Sequence, residues 1–269
     1  MNIKVTNAII NYDVVGEGIP ILLIHGFALD MHVMKGAYEP IFKNLKGFKR
    51  IYIDLPAMGQ SKALNGLNSS QGILDAIIEF IDMTIDENFI VIGQSFGGYI
   101  AQAIINKIPE RTLGLALLCP LVVADSDQRE LPDHQLLLDN SKNIIYDNKE
   151  NFDEFMSFSV IANQWTYDRF VSDILVGLNQ GNDKLLEVIR MENYDLSPEP
   201  YESIKYYNKP SLIIVGRQDA TVGYKDVMKL DSKFENMSLH ILNGAGHSLQ
   251  YEQEETFNVV TMDWLKSFI

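Results

Sequence analysis

Apolar residues fall along this chain in two rhythms. Short, nearly continuous runs occur at Ile21 to Ile24, Arg50 to Ile53, Phe89 to Ile92, Leu113 to Cys119, Leu212 to Val215 and Leu239 to Leu242, with a further run from Val5 to Tyr12. Runs of that length predict strands buried on both faces. Between them the spacing changes to that of a helix, as in Ile73-Leu74-Ala76-Ile77-Ile78-Phe80-Ile81 and in Thr256-Phe257-Val260-Met262-Trp264-Leu265. Strands alternating with amphipathic helices predict an α/β fold, with a mainly parallel sheet covered by helices on both faces.

That rhythm breaks between about Val122 and Tyr206. The stretch has no long β-branched run, carries many charges, and places Phe155, Met156, Phe158, Trp165, Tyr167 and Phe170 at largely helical spacings. It predicts a helical cap over residues 122–206, inserted between core segments 1–121 and 207–269. Aromatics at helical spacing mostly pack against one another, so only a few are expected to line a pocket.

Composition agrees with one core. A chain of 269 residues, 46% of them hydrophobic, can bury a large interior. Thirty-six acidic against 22 basic residues give a net charge of −14, which argues against nucleic acid or an anionic membrane as partner. Its ordinary meaning is solubility, and no cationic substrate follows from it. Cys119 is the single cysteine and ends an apolar run, which suits a buried filler better than a catalytic thiol. Met1 to Val5 lacks the apolar core of a signal peptide, and the stretch from Leu113 to Ala124 is interrupted by Pro120 and too short to span a bilayer. A cytoplasmic location is expected; the oligomeric state stays open.

The chemistry gathers at the ends of the strand-like runs. Gly93-Gln94-Ser95-Phe96-Gly97 follows one run and opens into a helical pattern, the context of a sharp strand-to-helix turn that exposes a nucleophilic serine. Gly93 and Gly97 let neighbouring backbone pass close to Ser95. A helix-capping serine is the plain alternative. A second run ends in His25-Gly26-Phe27. The N–H groups of Phe27 and of Phe96 are candidate donors to an oxyanion, with Gly26 permitting the bend and His25 reading as a structural member of the turn. Asp219 and His247 follow the last two runs, and a parallel sheet collects functional groups in such loops. Asp125 is the reserve acid, while His134 and Asp127 read as solvated. No H-E-x-x-H, C-x-x-C or clustered ligand set occurs, and G-x-G-x-x-G is absent, so neither metal nor cofactor is expected.

Taken together, these residues resemble the α/β-hydrolase superfamily, and within it the small capped serine hydrolases of the esterase, lactonase and carbon–carbon hydrolase type. The order Ser95, Asp219, His247 matches that superfamily's triad. Asn11 to Gly18 looks like its N-terminal hairpin leading into the oxyanion strand, and Asp54-Leu55-Pro56-Ala57-Met58-Gly59-Gln60-Ser61 is similar to its D-L-P-G-x-G-x-S loop, with Ala57 where glycine is usual. The resemblance implies an enzyme that cleaves a small ester, thioester or lactone through an acyl-enzyme: Ser95 attacks, His247 is base then acid, and Asp219 orients His247. Serine rather than aspartate at 95 argues against haloalkane and epoxide hydrolysis. Apolar cap residues with Phe27 and Phe96 suggest a small-molecule substrate with an apolar acyl part. A carbon–carbon hydrolase or lyase using the same triad, or a non-catalytic ligand receptor on this fold, are the alternatives.

Overall fold

The computed structural model describes residues 1–269. Eleven strands form in chain order: β1 (Asn2–Lys4), β2 (Ala8–Val15), β3 (Ile19–Ile24), β4 (Phe48–Ile53), β5 (Lys62–Ala63), β6 (Phe89–Gln94), β7 (Thr112–Leu118), β8 (Leu138–Asp139), β9 (Ile161–Ala162), β10 (Ser211–Gly216) and β11 (Met237–Leu242). The main sheet runs β1-β2-β4-β3-β6-β7-β10-β11, with β5 paired to β2. From β4 to β11 every pairing is parallel, and β2 is antiparallel to both β1 and β4. The interior strands are the continuous apolar runs: Ile21 to Ile24 and Phe89 to Ile92 are wholly buried, as parallel strands covered on both faces require.

The helices that flank this sheet are α1 (Met31–Phe42), α2 (Ser70–Thr84), α3 (Phe96–Lys107) and α10 (Glu254–Lys266), the last preceded by the short α9 (Leu249–Glu252). Asp30 caps α1 by accepting the His32 N–H, and Ser69 caps α2 through the Gly72 N–H. Both helical spacings read from the sequence fall inside α2 and α10. No helix is long and apolar enough to cross a membrane.

Two local readings are corrected. The run Val5 to Tyr12 is not one strand, because Val5 turns back on the carbonyl of Ala8 at 3.0 Å and separates β1 from β2. The hairpin is therefore β1 with β2. Asn11 to Gly18 does not form a hairpin into β3, since β4 lies between β2 and β3 in the sheet.

Between β7 and β10, residues 122–206 hold α4 (Lys149–Phe158), α5 (Gln164–Arg169), a π-helical turn (Phe170–Ile174), α6 (Leu175–Leu178), α7 (Asp183–Glu192) and α8 (Pro200–Ser203), plus the two-residue pair β8 and β9. Phe155 sits among Phe152, Phe158, Tyr167 and Phe170 with ring centroids 5.3 to 6.5 Å apart, so this stripe is mainly packing.

Candidate active site

Ser95 joins β6 to α3 with φ 54° and ψ −121°, a conformation that L-residues rarely adopt. The turn is clamped on both sides: its N–H donates to the Leu118 carbonyl at 3.0 Å, and its carbonyl accepts from Leu121 at 3.0 Å and Tyr99 at 3.2 Å. Space dictates the glycines around it. A Cβ on Gly93 would lie 2.3 Å from the Gly97 carbonyl oxygen, and one on Gly97 would lie 2.2 Å from that of Ile24.

Two other strand ends meet this serine. His247 Nε2 lies 2.9 Å from Ser95 Oγ, and His247 Nδ1 lies 2.9 Å from Asp219 Oδ2. Asp219 is fully buried, and its Oδ1 accepts the N–H groups of Thr221 at 2.8 Å and Val222 at 3.1 Å. With Oδ1 occupied, Oδ2 accepts the Nδ1 proton and the Nε2 lone pair faces the hydroxyl. Gln218 ties the two loops together: its Oε1 accepts the Gly244 N–H at 2.9 Å and its Nε2 donates to Asn243 Oδ1 at 2.9 Å. Asp125 is not brought to His247. It is exposed, and its carboxylate caps its own turn through Asp127 and Gln128.

The first turn of α3 leaves its N–H groups without intrahelical partners, and Phe96 is its first residue. Phe27 lies in the loop after β3, its ring 5.2 Å from that of Phe96 at 82°. His25 holds this loop from beneath. Its Nδ1–H donates to the Gly26 carbonyl at 2.7 Å and its Nε2 accepts the Leu55 N–H at 2.9 Å. Both ring nitrogens are thereby used, and burial depresses the imidazole's pKa. Gly26 is needed for the approach, because a Cβ there would sit 2.5 Å from Gln94 Oε1. Asp54 braces the same loop by accepting the N–H groups of Met31 and Gln60, each at 2.9 Å. Within that bracing loop Ala57 has φ 69°, the backbone reason for glycine being usual there.

Ser95 and His247 open onto a cavity of 570 Å³, half of whose 22 lining residues are apolar. Phe27, Leu29 and Val33 line it from the core; Phe158, Arg190 and Tyr194 line it from the 122–206 segment. Tyr194 packs 5.2 Å from the rings of both Phe27 and Phe96. Gln94, also lining the cavity, leaves its buried Oε1 without a partner. Sequence reasoning missed Arg129, Arg190, Tyr194, Gln94, Gln218 and Glu252. Gln94 stands inside the serine motif but at a position to which the motif assigns no role, and the other five belong to no motif the reading used, so the fold alone brings them here.

Cys119, Asp219 and His247 place one potential ligand atom each within 4.8 Å of one another. Burial, aided by the Asp219 charge, pushes the Cys119 thiol well above its usual pKa. The donor set therefore holds a neutral S–H, which fits a metal poorly because metals bind the thiolate.

Comparison with known proteins agrees with this architecture. The family model described as alpha/beta hydrolase fold matches residues 19–254. The solved structure of an alpha/beta superfamily hydrolase from Oenococcus oeni PSU-1 is 32% identical, with a TM-score of 0.89 over 99% of this chain and 98% of that one. A 2-hydroxy-6-oxononadienedioate/2-hydroxy-6-oxononatrienedioate hydrolase of Pseudomonas putida is 26% identical, covering 95% of this chain and 91% of its own. A pimeloyl-[acyl-carrier protein] methyl ester esterase of Legionella pneumophila is 21% identical, covering 96% and 99%. With the sheet order, the strained serine turn and a match across most of its length, this chain belongs to the alpha/beta hydrolase fold family.

Proposed function

We propose that the protein is a cofactor-independent serine hydrolase that cleaves a small ester, thioester or lactone through an acyl-enzyme. The observation that carries the reading is the pair of 2.9 Å contacts, Ser95 Oγ to His247 Nε2 and His247 Nδ1 to Asp219 Oδ2, at the wall of a cavity of 570 Å³.

Ser95 Oγ attacks the substrate carbonyl carbon while His247 Nε2 takes its proton. Asp219 stabilises the imidazolium and holds the tautomer. The N–H groups of Phe27 and Phe96 receive the charge that develops on the carbonyl oxygen. Collapse of the tetrahedral intermediate expels the alcohol or thiol, which takes the proton from His247. Water, deprotonated by His247, then releases the acid. Residues 122–206 act as the cap over this site, and the apolar walls suit an apolar acyl chain. A cytoplasmic setting fits a substrate of this kind.

A carbon–carbon hydrolase would use the same three groups, but Ala28-Leu29-Asp30-Met31 after the His-Gly turn carries fewer small or polar residues than that branch usually has. A receptor needs no serine bonded to a histidine in its cavity. The test is hydrolysis of p-nitrophenyl esters from acetate to decanoate by the wild type and by Ser95→Ala, with fluorophosphonate labelling. Turnover lost in the variant supports Ser95 as nucleophile. No turnover and no labelling of the wild type overturns the reading.

A further inference from the structure

The chain has six arginines, and carboxylates outnumber basic residues 36 to 22, so an arginine without an acidic partner calls for a reason. Arg50, Arg111 and Arg169 are paired with Glu39, Asp82 and Asp173. Arg217 rests on the ring of Tyr224. The remaining two, Arg129 and Arg190, have no carboxylate partner, and both line the cavity that contains Ser95.

Their anchoring leaves their charge free. Arg129 is half-buried and donates from Nε to the Val123 carbonyl at 2.9 Å, from Nη2 to that of Ala124 at 2.6 Å and from Nη1 to that of Thr221 at 3.3 Å. Backbone carbonyls fix the guanidinium without neutralising it, and a guanidinium has five N–H groups, so two remain. Arg190 projects from α7 over the ring of Phe27, 5.1 Å from its centroid. Tyr194, another lining residue, packs 5.2 Å from the Phe27 ring that Arg190 covers, and the charges of Arg129 and Arg190 both favour its ionised phenol, so the two cations attend the same part of the cavity. Glu154 also lines the cavity, but it is exposed and pairs with neither arginine.

We propose that the cavity selects an ester whose acyl chain ends in a carboxylate, held by Arg129 and Arg190 while the scissile carbonyl lies at Ser95. The inference rests on the hydrolase reading of Ser95 and narrows it to half-esters of dicarboxylic acids. A planar guanidinium matches a carboxylate through paired N–H donors. Leu29, Val33, Ile174 and Leu178 line the same cavity and suit the intervening methylenes. The net charge of −14 repels anions at long range, so selection of this kind has to come from local cations.

The test compares monomethyl adipate with methyl hexanoate, which have the same acyl length, by proton release in a pH-stat. The expected ratio of kcat/KM is about tenfold or more in favour of the half-ester, the scale of one charge-assisted contact. The ratio should fall about tenfold in Arg190→Gln and in Arg129→Gln, and it should shrink in 0.5 M NaCl. Arg190 is exposed on its helix, which keeps the test readable should Arg129→Gln disturb the turn it pins. Equal or better turnover of methyl hexanoate by the wild type overturns the inference, as does a ratio unchanged in both variants. If monomethyl adipate is not hydrolysed, the inference fails alone when methyl hexanoate is turned over or Ser95 is labelled by fluorophosphonate. It fails together with the hydrolase reading when neither occurs.

Discussion

The carboxylate of Glu252 accepts the N–H of Gly246 at 2.6 Å, one residue before His247. Its other oxygen accepts the N–H groups of Val160 at 2.7 Å and Ile161 at 3.2 Å. One buried side chain therefore ties the histidine loop to the segment over the cavity. In Glu252→Gln a single carbonyl oxygen replaces two acceptors, and the amide NH₂ faces a backbone donor. The expected result is a loss of about 2 kcal/mol in stability, the scale of a bond to a charged group. A fall of roughly tenfold in kcat/KM should accompany it as His247 loses its support. Chemical denaturation and ester kinetics on the one variant measure both.

Glu252 also gives a pH signature. Burial raises its pKa above the ordinary 4.5, against the three backbone donors that lower it. Between the unfolded and the folded pKa the native state binds the extra proton, so this group's contribution to stability is lost as pH rises through that window. The stability of the wild type minus that of Glu252→Gln is expected to decline from pH 4.5 upward and then level off. A difference that grows with pH would contradict the assignment.

Asp219 and Asp125 are separated by one comparison. Asp219→Asn leaves an acceptor for only one of the two tautomers and should cut kcat by about 10⁴, as the wrong tautomer does in serine triads. Asp125→Asn changes an exposed turn and should leave kcat within a factor of two. A large loss in Asp125→Asn would move the acid's role from Asp219 to the reserve position.

Most of the core was legible because a parallel sheet buried on both faces writes itself as apolar runs: Ile21 to Ile24 and Phe89 to Ile92 are strand interior in the fold. Ser95, Asp219 and His247, which the structure brings into one hydrogen-bonded chain, stood out as candidates because each follows such a run. The N-terminal strands were misread because their pairing is set by a short turn at Val5 to Ala8, which apolar content does not mark. Arg129 and Arg190 were silent for a different reason. Each reaches the cavity from the irregular 122–206 segment, and no spacing rule links them to Ser95 or to each other.

Strain at Ser95 has a measurable consequence. At φ 54° and ψ −121° any side chain with a Cβ is disfavoured. Ser95→Ala keeps that penalty and Ser95→Gly removes it, at the cost of a more flexible unfolded chain. Ser95→Gly is expected to be more stable than Ser95→Ala by about 1 kcal/mol, with both inactive on esters. Equal melting temperatures would mean that the strain at this turn is no larger than the entropy cost of the glycine.

His25 supplies the last test, because it stabilises the loop of Phe27 without reaching Ser95. In His25→Ala the Leu55 N–H and the Gly26 carbonyl both lose their buried partner, which should cost about 3 kcal/mol and lower kcat as the loop that carries Phe27 loosens. The wild type should show the matching acid response. Burial holds the folded imidazole below its ordinary 6.5, so the unfolded chain binds the extra proton first. The contribution of His25 is then fully present above 6.5 and lost as pH falls through the folded value. Protonation would also place an Nε2 proton against the Leu55 N–H. Stability of the wild type relative to His25→Ala is therefore expected to decrease on acidification below 6.5, and a pH-independent difference would show that the neutral ring is not what holds the turn.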